Sequence, residues 1–415
     1  MQIKIFPSKV NGIIHAPAGK SMTQRAYAAA LLCRGTTTIL HPSHCDDSMA
    51  ALGIIKTLGA EVVQGGDEIS VLGGFLVKNQ SLNCGESGLA MRMFAPIAAL
   101  HHKEITFNGK GSLSARPVNM IGEALTQLGA RFNSNNGFLP FSVQGPLKGG
   151  FAGIDGSVSS QLLTGLLMAL PLAAADSEIK VKNLKSKPYV AMTLQLLSDF
   201  GIEVENDNFE NFRIRGNQLY KPCEYSIEGD WSGAVFMMVA GAISGVTTIK
   251  GLKLDSLQSD KAILEALSLA EVSFMATEDS IEVVKSKLRA FEFDATDCPD
   301  LFPPLAALAA NCIGQSIIKG VGRLIHKESN RALTISRELK NLGIKVEITG
   351  DEMHITGGKI SGGECDSHND HRIAMMISVL ALNAGSPVTI TNAECVNKSY
   401  PAFFEHLKKL GATFE

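Results

Sequence analysis

The sequence predicts a mixed α/β protein of two domains, because one unit of about 70 residues recurs six times along the 415-residue chain. Three features carry this prediction. A helix-to-strand junction recurs, a helix that is apolar on nearly every side precedes each junction, and a short β-rich run follows that helix. Three such units for each half of the chain would pack their apolar helices together as one core.

The junction is the clearest repeat. In most copies a glycine stands where the end of a helix favours a left-handed residue. The first residues of successive copies are 70, 72, 68, 74 and 68 positions apart, the fourth copy being the weakest. The copies read Leu58-Gly59-Ala60-Glu61-Val62, Leu128-Gly129-Ala130-Arg131-Phe132, Phe200-Gly201-Ile202-Glu203-Val204, Ser268-Leu269-Ala270-Glu271-Val272, Leu342-Gly343-Ile344-Lys345-Val346 and Leu410-Gly411-Ala412-Thr413-Phe414.

The apolar helix of each unit begins at a polar residue, near Ser21, Ser87, Ser159, Asp230, Asp300 and Asp370. A helix that is apolar all round, such as residues 234–243, must be buried on all sides. The β-rich runs lie behind these helices, at residues 36–40, 104–107, 178–181, 247–250, 316–319 and 388–391. Each unit therefore carries two helices and about four strands.

The last unit has no chain left for further strands after Glu415, whereas residues 1–14 read as a strand that can complete it. We therefore expect one domain over residues 18–229 and a second over residues 1–17 plus 230–415. The chain would cross between them near Ala18 and Gly229, and two crossings form a hinge.

Composition excludes several classes of function. Apolar residues make up 45% and charged residues 19% of the chain, and a net charge of −3 gives no reason to expect nucleic acid or an acidic membrane as partner. The first ten residues alternate like a strand and do not resemble a signal peptide. Eight cysteines without a C-x-x-C pair favour reduced thiols in a cytoplasmic protein over disulfides or zinc.

Polar and cationic residues gather at the predicted starts of the buried helices, where free N–H groups and the positive end of the helix dipole favour anions. Ser21 and Thr23 are suited to cap the first helix. If both domains present these helix starts to one cleft, a phosphorylated or carboxylated small molecule is the expected ligand. The cations beside turns or helix starts are Arg25, Arg116, Lys327, Arg331 and Lys398.

Five motifs, in order along the whole chain, resemble those of the 5-enolpyruvylshikimate-3-phosphate synthase family. They are Gly19-Lys20-Ser21-x-Thr23-x-Arg25, Ser159-Ser160-Gln161, Ser186-Lys187-Pro188-Tyr189, Lys327-Glu328-Ser329-Asn330-Arg331 and Asn369-Asp370-His371-Arg372. The resemblance implies a two-domain inverse α/β barrel, with three βαβαββ repeats in each domain, that closes on its substrates.

The implied reaction moves the enolpyruvyl group of phosphoenolpyruvate to the 5-hydroxyl of shikimate 3-phosphate and releases phosphate, in the route to chorismate and the aromatic amino acids. The resemblance also implies a cytoplasmic monomer that needs no metal or organic cofactor and is a target of glyphosate.

The resemblance assigns roles to individual residues. Asp300 would take the hydroxyl proton, and Glu328 with Lys20 would handle the proton at the methylene carbon, Lys398 being the fourth catalytic residue. Shikimate 3-phosphate would contact Lys20, Ser21, Arg25, Ser159, Ser160, Gln161, Ser186, Tyr189, Asp300, Arg323 and Lys327. Phosphoenolpyruvate would contact Lys20, Gly88, Arg116, Gln161, Glu328, Arg331, Arg372 and Lys398.

The chain departs from the usual family pattern in several places, near the residues assigned to both substrates. Glu86-Ser87-Gly88-Leu89 stands where Asn-Ala-Gly-Thr is usual, Gln24 replaces an Asn, and Arg323 stands where Asn is frequent. Glu86 would either pair with Arg92 or Arg116 or repel the anionic substrate, and repulsion partly offset by pairing is the interpretation we favour.

The sequence also allows other interpretations of these motifs. Each motif alone is more typical of a plain helix cap than of a site. His41, His44 and Cys45 could suggest a metal site, but they lie in a proline-containing loop. An enolpyruvyl transferase acting on UDP-N-acetylglucosamine usually carries a loop cysteine in the second repeat, yet no cysteine occurs between Cys84 and Cys223. A non-catalytic repeat scaffold would have no need for Asp300 and Glu328 together.

Overall fold

The computed structural model describes residues 1–74, 76–157, 159–325 and 327–415. The chain forms two compact units, one of Ala18–Ile227 and one of Met1–Pro17 together with Glu228–Glu415. None of the described helices is both long enough and apolar enough to span a lipid bilayer. All eight cysteines are free thiols.

The chain opens with two strands of the discontinuous unit and then builds the unit of residues 18–227. The elements are β1 Gln2–Phe6, β2 Asn11–His15, α1 Lys20–Leu32, β3 Thr36–Leu40, α2 Asp46–Leu58, β4 Glu61–Gly65, β5 Glu68–Leu72, β6 Ser81–Asn83, α3 Gly88–Ala98, β7 Ile105–Asn108, α4 Asn119–Gln127, β8 Arg131–Asn135, β9 Phe138–Gln144, β10 Gly150–Asp155, α5 Gln161–Ala169, β11 Ser177–Lys182, α6 Lys187–Asp199, β12 Val204–Asp207, β13 Asn211–Ile214 and β14 Glu224–Ser226.

The remaining elements complete the other unit. They are α7 Trp231–Ser244, β15 Val246–Lys250, α8 Ile263–Leu269, β16 Ser273–Ala276, β17 Ser280–Val284, β18 Glu292–Asp294, α9 Phe302–Ala310, β19 Gln315–Lys319, α10 Arg331–Asn341, β20 Lys345–Thr349, β21 Glu352–Thr356, β22 Gly363–Asp366, α11 His371–Ala381, β23 Val388–Thr391, α12 Phe403–Lys409 and β24 Thr413–Phe414.

Each repeat contributes one four-stranded sheet with the same pattern, in which one parallel pair is followed by two antiparallel pairs. The sheets of the unit 18–227 have the orders β14-β3-β5-β4, β6-β7-β9-β8 and β10-β11-β13-β12. Those of the other unit have the orders β2-β15-β17-β16, β18-β19-β21-β20 and β22-β23-β1-β24. Four strands per repeat therefore match the sequence prediction.

The predicted single strand at residues 1–14 is wrong in detail. The structure has two strands there, and only β1 lies in the sheet of the last repeat, between β23 and β24. β2 instead pairs in parallel with β15, in the sheet of the fourth repeat. β14 likewise leaves the third repeat and pairs with β3 in the first. Both β2 and β14 are edge strands of the sheets that they join.

The apolar helices form the cores, as predicted. In the unit 18–227, α3 packs against α1 and α5, and in the other unit α7, α9 and α11 pack against one another. Close approach is possible where α5 carries glycine, because a Cβ added at Gly165 would lie 2.5 Å from the carbonyl oxygen of Met93. A side chain there would force α3 and α5 apart.

The helix-to-strand junctions have the predicted left-handed glycines, with φ of 127° at Gly59, 74° at Gly201 and 83° at Gly343. The fourth copy was placed two residues too early in the sequence. Its left-handed residue is Glu271, with φ of 58°, and α8 ends at Leu269. Because this copy lacks glycine at the turn, the usual marker of the junction is missing from the sequence.

Candidate active site

The first buried helix begins at Lys20, whose ammonium group lies 2.9 Å from a carboxylate oxygen of Asp47 on α2. The prediction that Ser21 or Thr23 caps this helix is wrong. The Thr23 hydroxyl donates to the carbonyl of Gly19 and accepts the backbone N–H of Ser43, so it joins the helix to the following loop. The N–H groups at the helix start keep no side-chain acceptor from α1 itself, which suits a bound anion.

Arg25 is buried one turn farther along the same helix, and its hydrogen-bond partners are neutral oxygens. Its guanidinium donates to the Thr193 hydroxyl at 3.0 Å and to the carbonyl of Ser21 at 2.9 Å. Longer bonds reach the Thr164 hydroxyl and the carbonyl of Tyr189. No carboxylate among the described residues pairs with it, and burial lowers the pKa of Arg25 to about 10. The unit 18–227 therefore holds a buried positive charge that an anion would stabilise.

The starts of α5 and α6 present buried hydroxyls that do not cap their own helices. Ser160 precedes α5 and Ser186 precedes α6, and neither side chain bonds the first turn that follows it. Ser186 has φ of 58°, an uncommon conformation for a residue other than glycine. The Ser159 hydroxyl accepts the N–H of Gln161 at 3.2 Å.

Two buried arginines meet at the start of α3. A Cβ added at Gly88 would lie 2.4 Å from an Arg116 nitrogen and 3.2 Å from an Arg92 nitrogen, so a larger residue there would displace the Arg116 guanidinium. Arg92 also donates to the side-chain oxygen of Gln161 at 3.0 Å. Two guanidinium groups at a positive helix end repel each other unless an anion joins them. Arg92 was not predicted as a site residue from the sequence, although Arg92 lies four positions after Gly88, on the same helix face.

Glu86 is half-buried at the turn before α3. Its carboxylate accepts the backbone N–H of Ser112 at 3.3 Å and lies against Gly111, where an added Cβ would come within 2.4 Å of it. Gly111 begins the short turn that ends at Arg116. Glu86 therefore supports the segment that carries Arg116, and the balance between pairing and repulsion stays a prediction.

In the other unit, Asp300 lies among three cations. Its carboxylate accepts from Arg331 at 2.7 Å, from Arg372 at 3.0 Å and from Lys327 at 3.3 Å. Burial would raise the pKa of Asp300, but the charges of Arg372, Lys327 and Arg331 hold that pKa well below its usual range. Burial also lowers the pKa of Lys327, against the charge of Asp300. The carboxylate is therefore ionised and its electron pairs are directed at cations.

Arg331 is completely buried and bonds three carboxylates. It contacts Asp370 through Nε at 2.8 Å, Asp300 through one terminal nitrogen, and Glu328 through the other. Asp370 also accepts the N–H of Arg372 at 3.0 Å at the start of α11. An anionic ligand that bound Arg331 would have to displace at least one carboxylate.

Asp260 is a buried acid that the sequence argument did not find. It accepts a hydrogen bond from the Ser232 hydroxyl, and the carbonyl of Ser232 accepts from Arg372 at 3.2 Å. Burial, and then the charge of Asp300, raise the pKa of Asp260 to about 7. A single acidic residue in a loop before a short helix has no local sequence signal for such a position.

Lys398 is held at a strained loop before α11. Its ammonium group donates to the carbonyl of Asn369 at 2.7 Å, and His368 and Asn369 both have positive φ, at 51° and 55°. His368 contacts the buried carboxylate of Glu338 at 2.7 Å, which ties the loop to α10. Arg323 is half-buried in the turn after β19, close enough to Lys327 for their charges to interact.

The predicted site residues thus fall into two groups, each described within its own unit. The unit 18–227 contains Lys20, Ser21, Arg25, Gly88, Arg116, Ser159, Ser160, Gln161, Ser186 and Tyr189. The other unit contains Asp300, Arg323, Lys327, Glu328, Arg331, Arg372 and Lys398. His41 and His44 are exposed, and no group of three or more metal-binding side chains occurs in the described parts of the chain.

Two three-repeat α/β units, with cations and hydroxyls gathered at the starts of their buried helices, define a class of enzymes that act on phosphorylated and carboxylated small molecules. Comparison with known proteins narrows this class. Residues 6–407 match the model of the family described as EPSP synthase (3-phosphoshikimate 1-carboxyvinyltransferase).

Relatives agree over the full length. The chain is 37% identical over 417 residues to a 3-phosphoshikimate 1-carboxyvinyltransferase of Clostridium kluyveri, which covers 100% of this chain and 98% of the relative. It is 36% identical to the enzyme of that name from Methanocorpusculum labreanum, with 99% of each chain covered. An EPSP synthase structure from Acinetobacter baumannii superposes with a TM-score of 0.85 at 25% identity, covering 100% of this chain and 99% of that one.

The chain belongs to the EPSP synthase (3-phosphoshikimate 1-carboxyvinyltransferase) family. The predicted family and fold class are thereby confirmed, and the chain is a transferase. The enolpyruvyl transferase NikO from Streptomyces tendae, at 18% identity and a TM-score of 0.81, shares the fold. The UDP-sugar alternative is not favoured by these relatives.

Proposed function

We propose that this protein transfers the carboxyvinyl group of phosphoenolpyruvate to the 5-hydroxyl of 3-phosphoshikimate and releases inorganic phosphate. The observation that carries the proposal is Asp300, an ionised carboxylate with three cations at 2.7–3.3 Å. Anionic reactants that took over these cations would leave the carboxylate free to accept a hydroxyl proton as the oxygen forms its bond, while the cations stabilise the reactants.

The first step is an addition. Asp300 takes the proton of the 5-hydroxyl while that hydroxyl oxygen bonds to C2 of phosphoenolpyruvate. The C2–C3 electron pair takes a proton from Glu328, and Lys20 assists this transfer. The product is a tetrahedral ketal that still bears phosphate. The second step is an elimination, in which the methyl group returns a proton to Glu328 and the C2–O bond to phosphate breaks. Lys20 and Lys398 neutralise the departing phosphate.

The phosphate of 3-phosphoshikimate is assigned to the unpaired buried charge of Arg25 and to the hydroxyls at two helix starts. Hydroxyls and a guanidinium suit phosphate oxygens because each supplies a directed donor. Further contacts of that substrate are assigned to the residues Lys20, Ser21, Ser159, Ser160, Gln161, Ser186, Tyr189, Asp300, Arg323 and Lys327.

Phosphoenolpyruvate is assigned to guanidinium groups, whose planar forks match carboxylate and phosphate. This substrate would compete with Glu328 for Arg331, because the N–H groups of Arg331 already bond the carboxylates of Asp300 and Glu328. Binding would then release Glu328 for proton transfer at carbon. The residues assigned to this substrate are Lys20, Gly88, Arg116, Gln161, Glu328, Arg331, Arg372 and Lys398, with Arg92 as a positioning residue for Gln161.

The test is an assay of phosphate release with each substrate alone and with both. We expect release only with both, and a product whose mass equals 3-phosphoshikimate plus the carboxyvinyl group. Replacement of 3-phosphoshikimate by UDP-N-acetylglucosamine should abolish turnover. Turnover with the UDP-sugar and none with 3-phosphoshikimate would overturn the proposal.

The proposal extends to the state of the enzyme in the cell. Eight free thiols suit a reducing compartment, so the cytoplasm is the proposed location, and a monomer is the proposed assembly. Cell fractionation and light scattering behind a sizing column test these two statements. A dimer mass at micromolar concentration would refute the second.

A further inference from the structure

An open cavity of about 680 Å³ lies on the unit 18–227, beside residues that the proposed function does not use. The end of β11, the loop that leads to the start of α6, and the turn between β12 and β13 line it, together with Ser157. None of the residues assigned above to either substrate lines it. Its charged and aromatic lining consists of Lys180, Lys182, Lys185, Lys187, Glu210 and Phe209.

The cavity carries an excess of positive charge. Four lysines line it, with Glu210 as the one acidic residue of the lining, although the whole chain has a net charge of −3. Within the described ranges, none of the four lysines forms an ion pair with a carboxylate. Asp155 also interacts with Lys182, but its carboxylate accepts a hydrogen bond from the backbone N–H of Ser157. Unpaired cations in one concave space repel each other and attract a polyanion.

One wall of the cavity is an aromatic ring held in an uncommon backbone conformation. Phe209 has φ of 61°, and Asn208 before it has φ of 51°. The left-handed region is unfavourable for a bulky residue, so the surrounding turn must hold Phe209 there. The ammonium group of Lys187 lies 6.0 Å from the ring centroid. The ring is also packed partly against the hydrophobic core of its unit, so the part that reaches the cavity is an apolar surface beside a cation.

We infer that this cavity is a second ligand site, separate from the catalytic residues, for a nucleoside polyphosphate. Its volume falls within the roughly 300–1,000 Å³ typical of small-molecule sites. The lysines supply charge-assisted bonds to phosphate groups, and the Phe209 ring supplies a stacking surface for a planar base. An anion without a ring would use the lysines alone and would bind less tightly.

The experiment measures binding to the full chain by isothermal titration calorimetry, with ATP and with tripolyphosphate as the probe that lacks a ring. The substitution Lys180→Gln/Lys182→Gln should weaken both probes by about tenfold or more, which is one strong ionic bond lost. Both side chains are exposed on β11, so folding is retained, and turnover serves as the check. The matched control is Lys56→Gln/Lys148→Gln, two exposed lysines of the same unit, for which both affinities should stay within about twofold.

A second variant separates the ring from the charges. Phe209→Gly keeps a residue that tolerates positive φ and removes the stacking surface. It should lower ATP affinity about threefold to tenfold, to the level of tripolyphosphate, and leave tripolyphosphate affinity unchanged.

Three results would overturn the inference. Wild-type protein that shows no saturable ATP binding up to about 1 mM has no such site. Equal losses of affinity in Lys180→Gln/Lys182→Gln and in the control Lys56→Gln/Lys148→Gln would show that only the net charge of the protein matters. Unchanged ATP affinity in Phe209→Gly would exclude a ligand that stacks on this wall.

Discussion

Replacing Asp300 by Asn separates the chemical role of this carboxylate from its electrostatic role. The amide keeps the shape of the side chain and an acceptor for Arg331, but it loses the charge and cannot take the hydroxyl proton. General-base catalysis contributes about 100-fold to 10,000-fold, so kcat should fall by at least about 100-fold, or roughly 2.7 kcal/mol of activation free energy.

Binding should change in the opposite direction. Asp300 now accepts from Arg331 at 2.7 Å, Arg372 at 3.0 Å and Lys327 at 3.3 Å. Each ionic bond exceeds a neutral one by about 1 kcal/mol, so the carboxylate competes with an anionic ligand for these cations. Without that competition the affinity for phosphoenolpyruvate should rise, by up to about fivefold if one bond to Arg372 is released to the ligand.

The assay combines steady-state phosphate release with calorimetric binding of each substrate, and thermal melting confirms that the variant is folded. Asp279→Asn, at an exposed position of the same unit, controls for the loss of one negative charge. A kcat within about threefold of wild type would remove Asp300 from the mechanism. A low kcat with weakened phosphoenolpyruvate binding would refute the competition and indicate general damage to the cluster.

Three further variants test the remaining assignments. Arg372→Lys keeps the charge but loses the bidentate fork, so calorimetry should show a loss of phosphoenolpyruvate affinity several times that of 3-phosphoshikimate, and equal losses would contradict the assignment. Glu86→Gln keeps an acceptor for the Ser112 N–H and removes the charge, so the KM of phosphoenolpyruvate and the inhibition constant of glyphosate should both fall by more than about twofold; unchanged values place Glu86 outside the field of the site. Because the pKa of Asp260 is raised from 3.8 to about 7, the folded protein keeps a proton that the unfolded chain releases, and this residue makes stability fall as the pH rises from about 4 to 7. Asp260→Asn removes that loss, so its melting temperature should exceed that of wild type at about pH 8 by more than at about pH 5, and parallel melting curves at both pH values would refute the raised pKa.

Much of the architecture could be predicted because its signals are local. The left-handed glycines, such as Gly59 and Gly343, mark the helix ends, and an all-apolar helix such as α7 can only be a core element. The prediction failed where the local signal was absent. Glu271 takes the left-handed position without glycine, so the fourth junction was placed two residues too early.

The sequence predicts which residues form the candidate site, but not how they pair. The motifs contain Arg331 and Glu328, the family resemblance adds Asp300, and the structure shows that all three meet, with Asp370 as a further partner of Arg331. Asp260 and Glu338 were missed because each is a single acid in an ordinary segment. Both acids are buried, and their partners lie far away in the sequence: Ser232 is 28 positions from Asp260, and His368 is 30 positions from Glu338.

By itself, the sequence determined the repeats, the buried helices and the motifs that assign the chain to its family, because periodicity, turn residues and side-chain chemistry act within a few positions of the chain. Only the tertiary structure decided that β2 and β14 join the sheets of other repeats, because edge pairing depends on which strands meet in space. It also decided the ionisation of Asp300 and Asp260. At Asp300 the charges of three cations outweigh the effect of burial, whereas at Asp260 burial and the charge of Asp300 prevail, so the two pKa values move in opposite directions.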